Sequence, residues 1–155
     1  MQASSVPTDV EALKIPPMYK SYERRNPNGS GFLKETFLRY DSKDYRGYRA
    51  GSRSLFFASQ RSLQLLNTTA DIYTDGIFET TPGLFSQFYT IHVRYQGGKH
   101  TIPCLYIFMP NWQKQTYIKV LHLKQLCLQM SLLLLYHDRL RTGRSGSFPA
   151  SMTES

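Results

Sequence analysis

The sequence predicts a mixed α/β fold centred on a three-strand meander with a helix after it. Three observations predict it. Between residues 71 and 109, three strand-length hydrophobic runs follow one another with only short turns between them. The second and third are joined through Gly97-Gly98, which is hairpin chemistry. From Lys114 onward the apolar residues fall at helical spacing. The aromatic content agrees: 11 Tyr and 9 Phe suit half-buried sheet faces better than a helical bundle.

Taken in order, Met1 to Ile15 is polar and reads as a tail or a short helix. Asn26 to Gly31 is turn chemistry, because Pro27 fixes φ while Asn and Gly tolerate positive φ. The run Phe37 to Tyr40 then precedes a basic loop from Asp41 to Arg53. Leu55 to Ala58 is strand-like by length, and Ser59 is placed to cap a short helix over Ser59 to Asn67. The meander strands are Asp71 to Thr80, Phe85 to Tyr95 and Thr101 to Met109. Pro103 cannot donate to a ladder and belongs near the start of the third. A helix of about four turns follows, with Tyr117, Ile118, Leu121 and Leu128 on one face. Arg139 to Ser155 is rich in Arg, Ser and Gly and reads as a disordered tail.

Strand, helix, three strands and helix make the first half of a ribonuclease H-like layout, which does not close a sheet. The third strand is too apolar for a bare edge. With no later strand to cover it, the isolated chain is expected to aggregate. The division predicted is an irregular, basic, Tyr-rich lead-in (1–54), the partial α/β domain (55–130) and the tail (131–155).

The formal net charge of +8 is concentrated: Lys20 to Arg61 holds ten Lys and Arg against four acids. Arg39, Lys43, Arg46, Arg49 and Arg53 alternate with Tyr40, Tyr45 and Tyr48. Such a stretch suits a polyanion, with cations for phosphates and rings for stacking; a solvated basic loop has the same composition. Cys104 and Cys127 accompany no secretory signature and read as reduced thiols of a nuclear or cytoplasmic chain. The apolar run Leu126 to Tyr136 is shorter than the roughly 20 residues that span a bilayer, so no membrane partner is expected.

Asp75 lies among apolar residues, as a metal-ligating carboxylate in a central strand would, or as an acid opening a turn with Gly76. His100 with Cys104, and His122 with Cys127, lack the usual half-site spacing for zinc. His92 reads as a strand residue. Neither a nucleophile elbow nor a phosphate-cradling Gly-rich loop is present, and no small-molecule substrate is indicated.

The segment Asp71-Ile72-Tyr73-Thr74-Asp75-Gly76-Ile77-Phe78 resembles the opening of the Mutator-like element (MULE) transposase domain, whose first strand reads D-G-T-F-K. The similarity runs on through Leu84 to His92, Ile102 to Asn111 and Thr116-Tyr117. Upstream, Ile15 to Tyr19, Phe37 to Ser42 and Phe56 to Ser59 look like the family's lead-in.

The resemblance implies a ribonuclease H-like core in which two Asp and one Glu hold two divalent ions, Mg²⁺ or Mn²⁺, to cut and join DNA. Asp75 matches the first Asp. After Glu79 the only acids are Asp138 and Glu154, neither in a matching segment. Ile77 and Glu79 also depart from the family's Thr and Lys. The expectation is therefore a truncated transposase fragment without strand-transfer activity and with no functional metal. The alternative is a non-catalytic nucleic-acid-binding module using Arg39 to Arg61.

Overall fold

The structure, a computed structural model, describes residues 7–77, 81–95, 98, 100–122 and 125. One helical turn, α1 (Pro17–Lys20), leads into a hairpin of β1 (Ser21–Arg25) and β2 (Phe32–Thr36). β3 (Leu38–Asp41) and β4 (Leu55–Phe57) flank the basic loop, which starts with a 3-10 turn at Ser42–Asp44. Helix α2 (Gln60–Thr68) precedes the meander of β5 (Ile72–Ile77), β6 (Gln87–Tyr95) and β7 (His100–Met109). Residues 114–122 form α3. No helix among the described residues is long and apolar enough to cross a membrane.

The meander is as expected, and it belongs to a five-stranded antiparallel sheet of order β3-β4-β7-β6-β5. Three expectations need correction. β7 is not a bare edge: β4 pairs with it over Tyr106 to Phe108, so its cover comes from upstream. That removes the ground for expecting aggregation through this strand. The lead-in is not irregular, since β3 joins the sheet and β1 pairs β2, and the sheet runs across the predicted boundary at residues 54 and 55. Asp75 is not in a central strand, because β5 ends the sheet among the described residues.

Alternation explains the two packed faces. Phe56, Ile91, Val93, Leu105, Ile107 and Met109 point to one face and meet Leu63 and Leu66 of α2 and Val120 of α3. The opposite face carries Leu55, Phe57, Phe85 and Phe108, closed by Val10 and Leu13. Truncating a fully buried residue such as Leu105 to Ala should cost about 2–5 kcal/mol. Bulges reset the alternation twice. One between Leu38 and Tyr40 puts these side chains on opposite faces. The other lies where Ile91 pairs Leu105 but His92 pairs Pro103, leaving Cys104 as the extra residue. Pro103 is the fourth of the ten residues of β7, toward its start as expected but within the ladder. It is tolerated because β4 does not extend that far along β7, so the missing N–H breaks no second ladder.

Ser59 caps α2 as expected, its Oγ accepting from Ser62 N at 2.9 Å. In α3 the buried face is Tyr117 with Val120; Ile118 and Leu121 are exposed, contrary to the predicted stripe. Leu128, Cys127, Phe78 to Thr80, the run Leu126 to Tyr136 and the tail 131–155 lie outside the described residues.

Candidate nucleic-acid interface

The basic stretch divides into cations that hold the fold and cations that face solvent. Arg53 is 4% exposed. Its Nε and Nη2 donate to Asp41 Oδ1 (3.0 Å) and Oδ2 (2.6 Å), a bidentate pair. Nη1 donates to the carbonyls of Val10 (2.9 Å) and Leu13 (2.7 Å). The Asp41 hydrogen bonds hold the guanidinium pKa above its ordinary value. Arg53 is thus a structural anchor that ties residues 10–13 to the ends of β3 and β4, and its engaged, buried guanidinium is not placed to contact a phosphate as the charge pattern predicts. Arg39 is partly spent in the same way, its Nε donating to the Ala58 carbonyl at 2.8 Å.

Lys43 remains exposed, but Nζ donates to the Glu11 carbonyl at 2.8 Å and lies 3.8 Å from the Glu11 carboxylate. Glu11, which the charge pattern did not single out, organises this loop. Its carboxylate accepts from the Tyr48 hydroxyl and from Gly51 N (3.0 Å). Those two bonds, in that order, hold the Glu11 carboxyl below the usual carboxylate range. Partial burial and the Glu11 bond push the Tyr48 hydroxyl up to about 12, so it stays a donor at neutral pH. Gly51 and Gly47 turn the loop at φ 77° and 85°, which an L side chain would strain.

The Arg46 and Arg49 side chains are exposed; Arg49 serves the loop through its backbone carbonyl, which accepts from Ser52 N (3.0 Å) and Ser52 Oγ (2.6 Å). Between this loop and α3 lies a cleft of about 210 Å³. Phe56 and Val120, both buried, form its floor. Its walls include Tyr40, Tyr45 and Tyr48, and its cations are Arg46 and Lys119. No carboxylate lines it among the described residues. Ser42 Oγ accepts from Ser54 N at 2.8 Å, leaving its own proton to donate. Thr116, on α3, is oriented by the Asn111 side chain at 2.7 Å. The tyrosines form a ladder rising from the core: Phe56 to Tyr40 at 5.3 Å between centroids, then Tyr40 to Tyr45 at 4.6 Å. Tyr45, 54% exposed, is its outermost ring. Burial, and then Tyr45, push the Tyr40 hydroxyl pKa up. Lys119 lies far along the chain, and only the folded register of α3 brings it to this loop.

Asp75 is exposed on β5 and pairs across the ladder with Thr90. Thr90 Oγ1 donates to the Asp75 backbone carbonyl at 3.4 Å and lies 2.7 Å from His92 Nε2. No group of three or more His, Cys, Asp or Glu that could hold a metal ion occurs among the described residues. The described donors around Asp75 do not by themselves fit a two-metal centre, which needs convergent carboxylates. His100 is exposed while Cys104 is buried at the bulge, so the pair does not converge on an ion. Burial pushes the Cys104 thiol up to about 11.

Compared with known protein families, curated proteins and solved structures, the chain matches none. The fold stands as a mixed α/β arrangement around a five-stranded antiparallel sheet.

Proposed function

We propose that this chain is a MULE-transposase-derived module that holds nucleic acid on its basic loop without joining or cutting it. The observation that carries this reading is the cleft, walled by tyrosines, edged by Arg46 and Lys119 and lined by no carboxylate among the described residues, beside the exposed Arg49. Cations offer phosphate contacts, and exposed rings offer base stacking. The transposase descent rests on the sequence similarity between residues 71 and 117. The non-catalytic half is supported by Asp75 standing exposed on the strand that ends the sheet among the described residues, opposite a threonine.

A plasmid gel tests both halves. Incubating the chain with supercoiled plasmid and Mn²⁺ at low salt should retard the plasmid without producing a nicked form, and Asp75→Ala should behave as wild type. Nicking that disappears in Asp75→Ala would refute the non-catalytic half. Absence of retardation would refute the binding half.

A further inference from the structure

The cleft has a shape and chemistry that duplex DNA does not use. Resting on the binding role above, we propose that it receives one unstacked nucleotide of a single strand, the base lying on the outer face of Tyr45 and its phosphate meeting Arg46 and Lys119.

Volume is the first argument. About 210 Å³ is below the roughly 300–1,000 Å³ of drug-sized sites, which leaves room for one flat ring system rather than a stacked run. The second is the ladder Phe56–Tyr40–Tyr45. It starts in the core and ends on a ring that is half exposed and tilted 32° from its inner neighbour. A base stacking on Tyr45 would extend an arrangement the core already holds in place, so little side-chain freedom is lost on binding. A paired base within a duplex has both faces covered and cannot do this.

Polarity is the third. The cations come from two different elements, the β3–β4 loop and α3, and share the cleft with the free proton of Ser42 Oγ and no carboxylate among the described residues. Glu11, which is not among the cleft's lining residues, holds Tyr48 and Gly51, so its charge is engaged with the loop's own donors. A plain polyanion such as heparin would use the cations but leave the ring face unused.

Fluorescence anisotropy on the full chain separates these cases with three probes: a short labelled single strand, its duplex, and the same strand made abasic. The single strand should bind roughly 5- to 160-fold more tightly than the abasic strand, the span of one base–aromatic stack. Tyr45→Ala should abolish that difference, and Tyr45→Phe should restore it. Circular dichroism checks that the variants fold. The comparison of probes on wild type needs no variant. Equal binding of all three probes, unaffected by Tyr45→Ala, would overturn this proposal and leave the binding role standing. Binding of none of them at low salt would overturn both.

Discussion

Replacing Arg53 with methionine removes one partner of a buried ion pair while keeping an unbranched apolar stem in its place. Asp41, 7% exposed, would lose both guanidinium bonds, of 3.0 and 2.6 Å. Leaving a buried charge without its partner costs about 3–5 kcal/mol. The carbonyls of Val10 and Leu13 lose their donor as well, at about 1–3 kcal/mol for each one that water does not reach. These losses overlap, because residues 10–13 can peel away to be solvated, so about 3–5 kcal/mol is the expected total. For a chain of 155 residues that corresponds to a fall in Tm of about 6–20 °C. Thermal unfolding followed by circular dichroism reads it directly. Adding Asp41→Leu should recover part of the loss by removing the orphaned carboxylate, with the two carbonyls still unmet. Arg46→Ala, by contrast, should stay within about 0.5 kcal/mol of wild type. If Arg53→Met melts within about 3 °C of wild type, Arg53 does not anchor residues 10–13, and its assignment as a structural rather than a binding cation fails.

Other predictions follow from the same geometry. The Glu11 carboxyl titrates below its unfolded value, so its stabilisation is fully present above the ordinary Glu pKa and is lost as the pH falls through the depressed folded value. Limited proteolysis between residues 7 and 15 should therefore accelerate on the acid side of about pH 4.5, and Glu11→Gln should lose that step. Ser59→Ala should destabilise by about 1 kcal/mol through loss of the α2 cap, measurable by urea titration. Cys104, buried and with its pKa raised to about 11, should resist iodoacetamide at pH 8 until the chain is unfolded. Peptide-resolved mass spectrometry distinguishes it from Cys127.

Local features of the fold were legible because local sequence encodes them. Ser59 followed by Leu63 and Leu66 marks a capped helix, and Gly97-Gly98 between two hydrophobic runs marks a hairpin. The β1–β2 hairpin was missed because its strands carry almost no apolar alternation. It is held instead by Tyr22 and Arg24, both donating to Glu35, and by Tyr22 packing edge-on against Phe37. Its turn was visible; its strands were not. The pairing of β4 with β7 joins residues 55–57 to 106–108, and no periodicity within either run records such a partner. This one pairing moved the supposed bare edge to the interior of the sheet.

At the candidate site, charge pattern located the loop but could not rank its cations. Five basic residues interleaved with tyrosines look alike in sequence. The structure divides them by position: Arg53 faces the interior between strand ends, whereas Arg46 projects from the loop. One signal was present. Arg53 stands two residues before the apolar run 55–58, and Asp41 directly follows the run 37–40, so the two sit at adjoining ends of what become paired strands. Glu11 and Lys119 gave no comparable sign. Each reaches the loop only through tertiary contact, one from the N-terminal segment and one from α3.

If the solvent-facing cations of this loop and α3 bind nucleic-acid phosphates, the affinity for a single strand falls with salt in proportion to their number. Three contacts, from Arg46, Arg49 and Lys119, predict a slope of about −2 for log K against log salt concentration. Arg46→Ala with Arg49→Ala should flatten it to about −0.7 without moving the melting temperature. A double variant that binds with wild-type affinity and slope would contradict the account, because the phosphates would then be held elsewhere on the molecule.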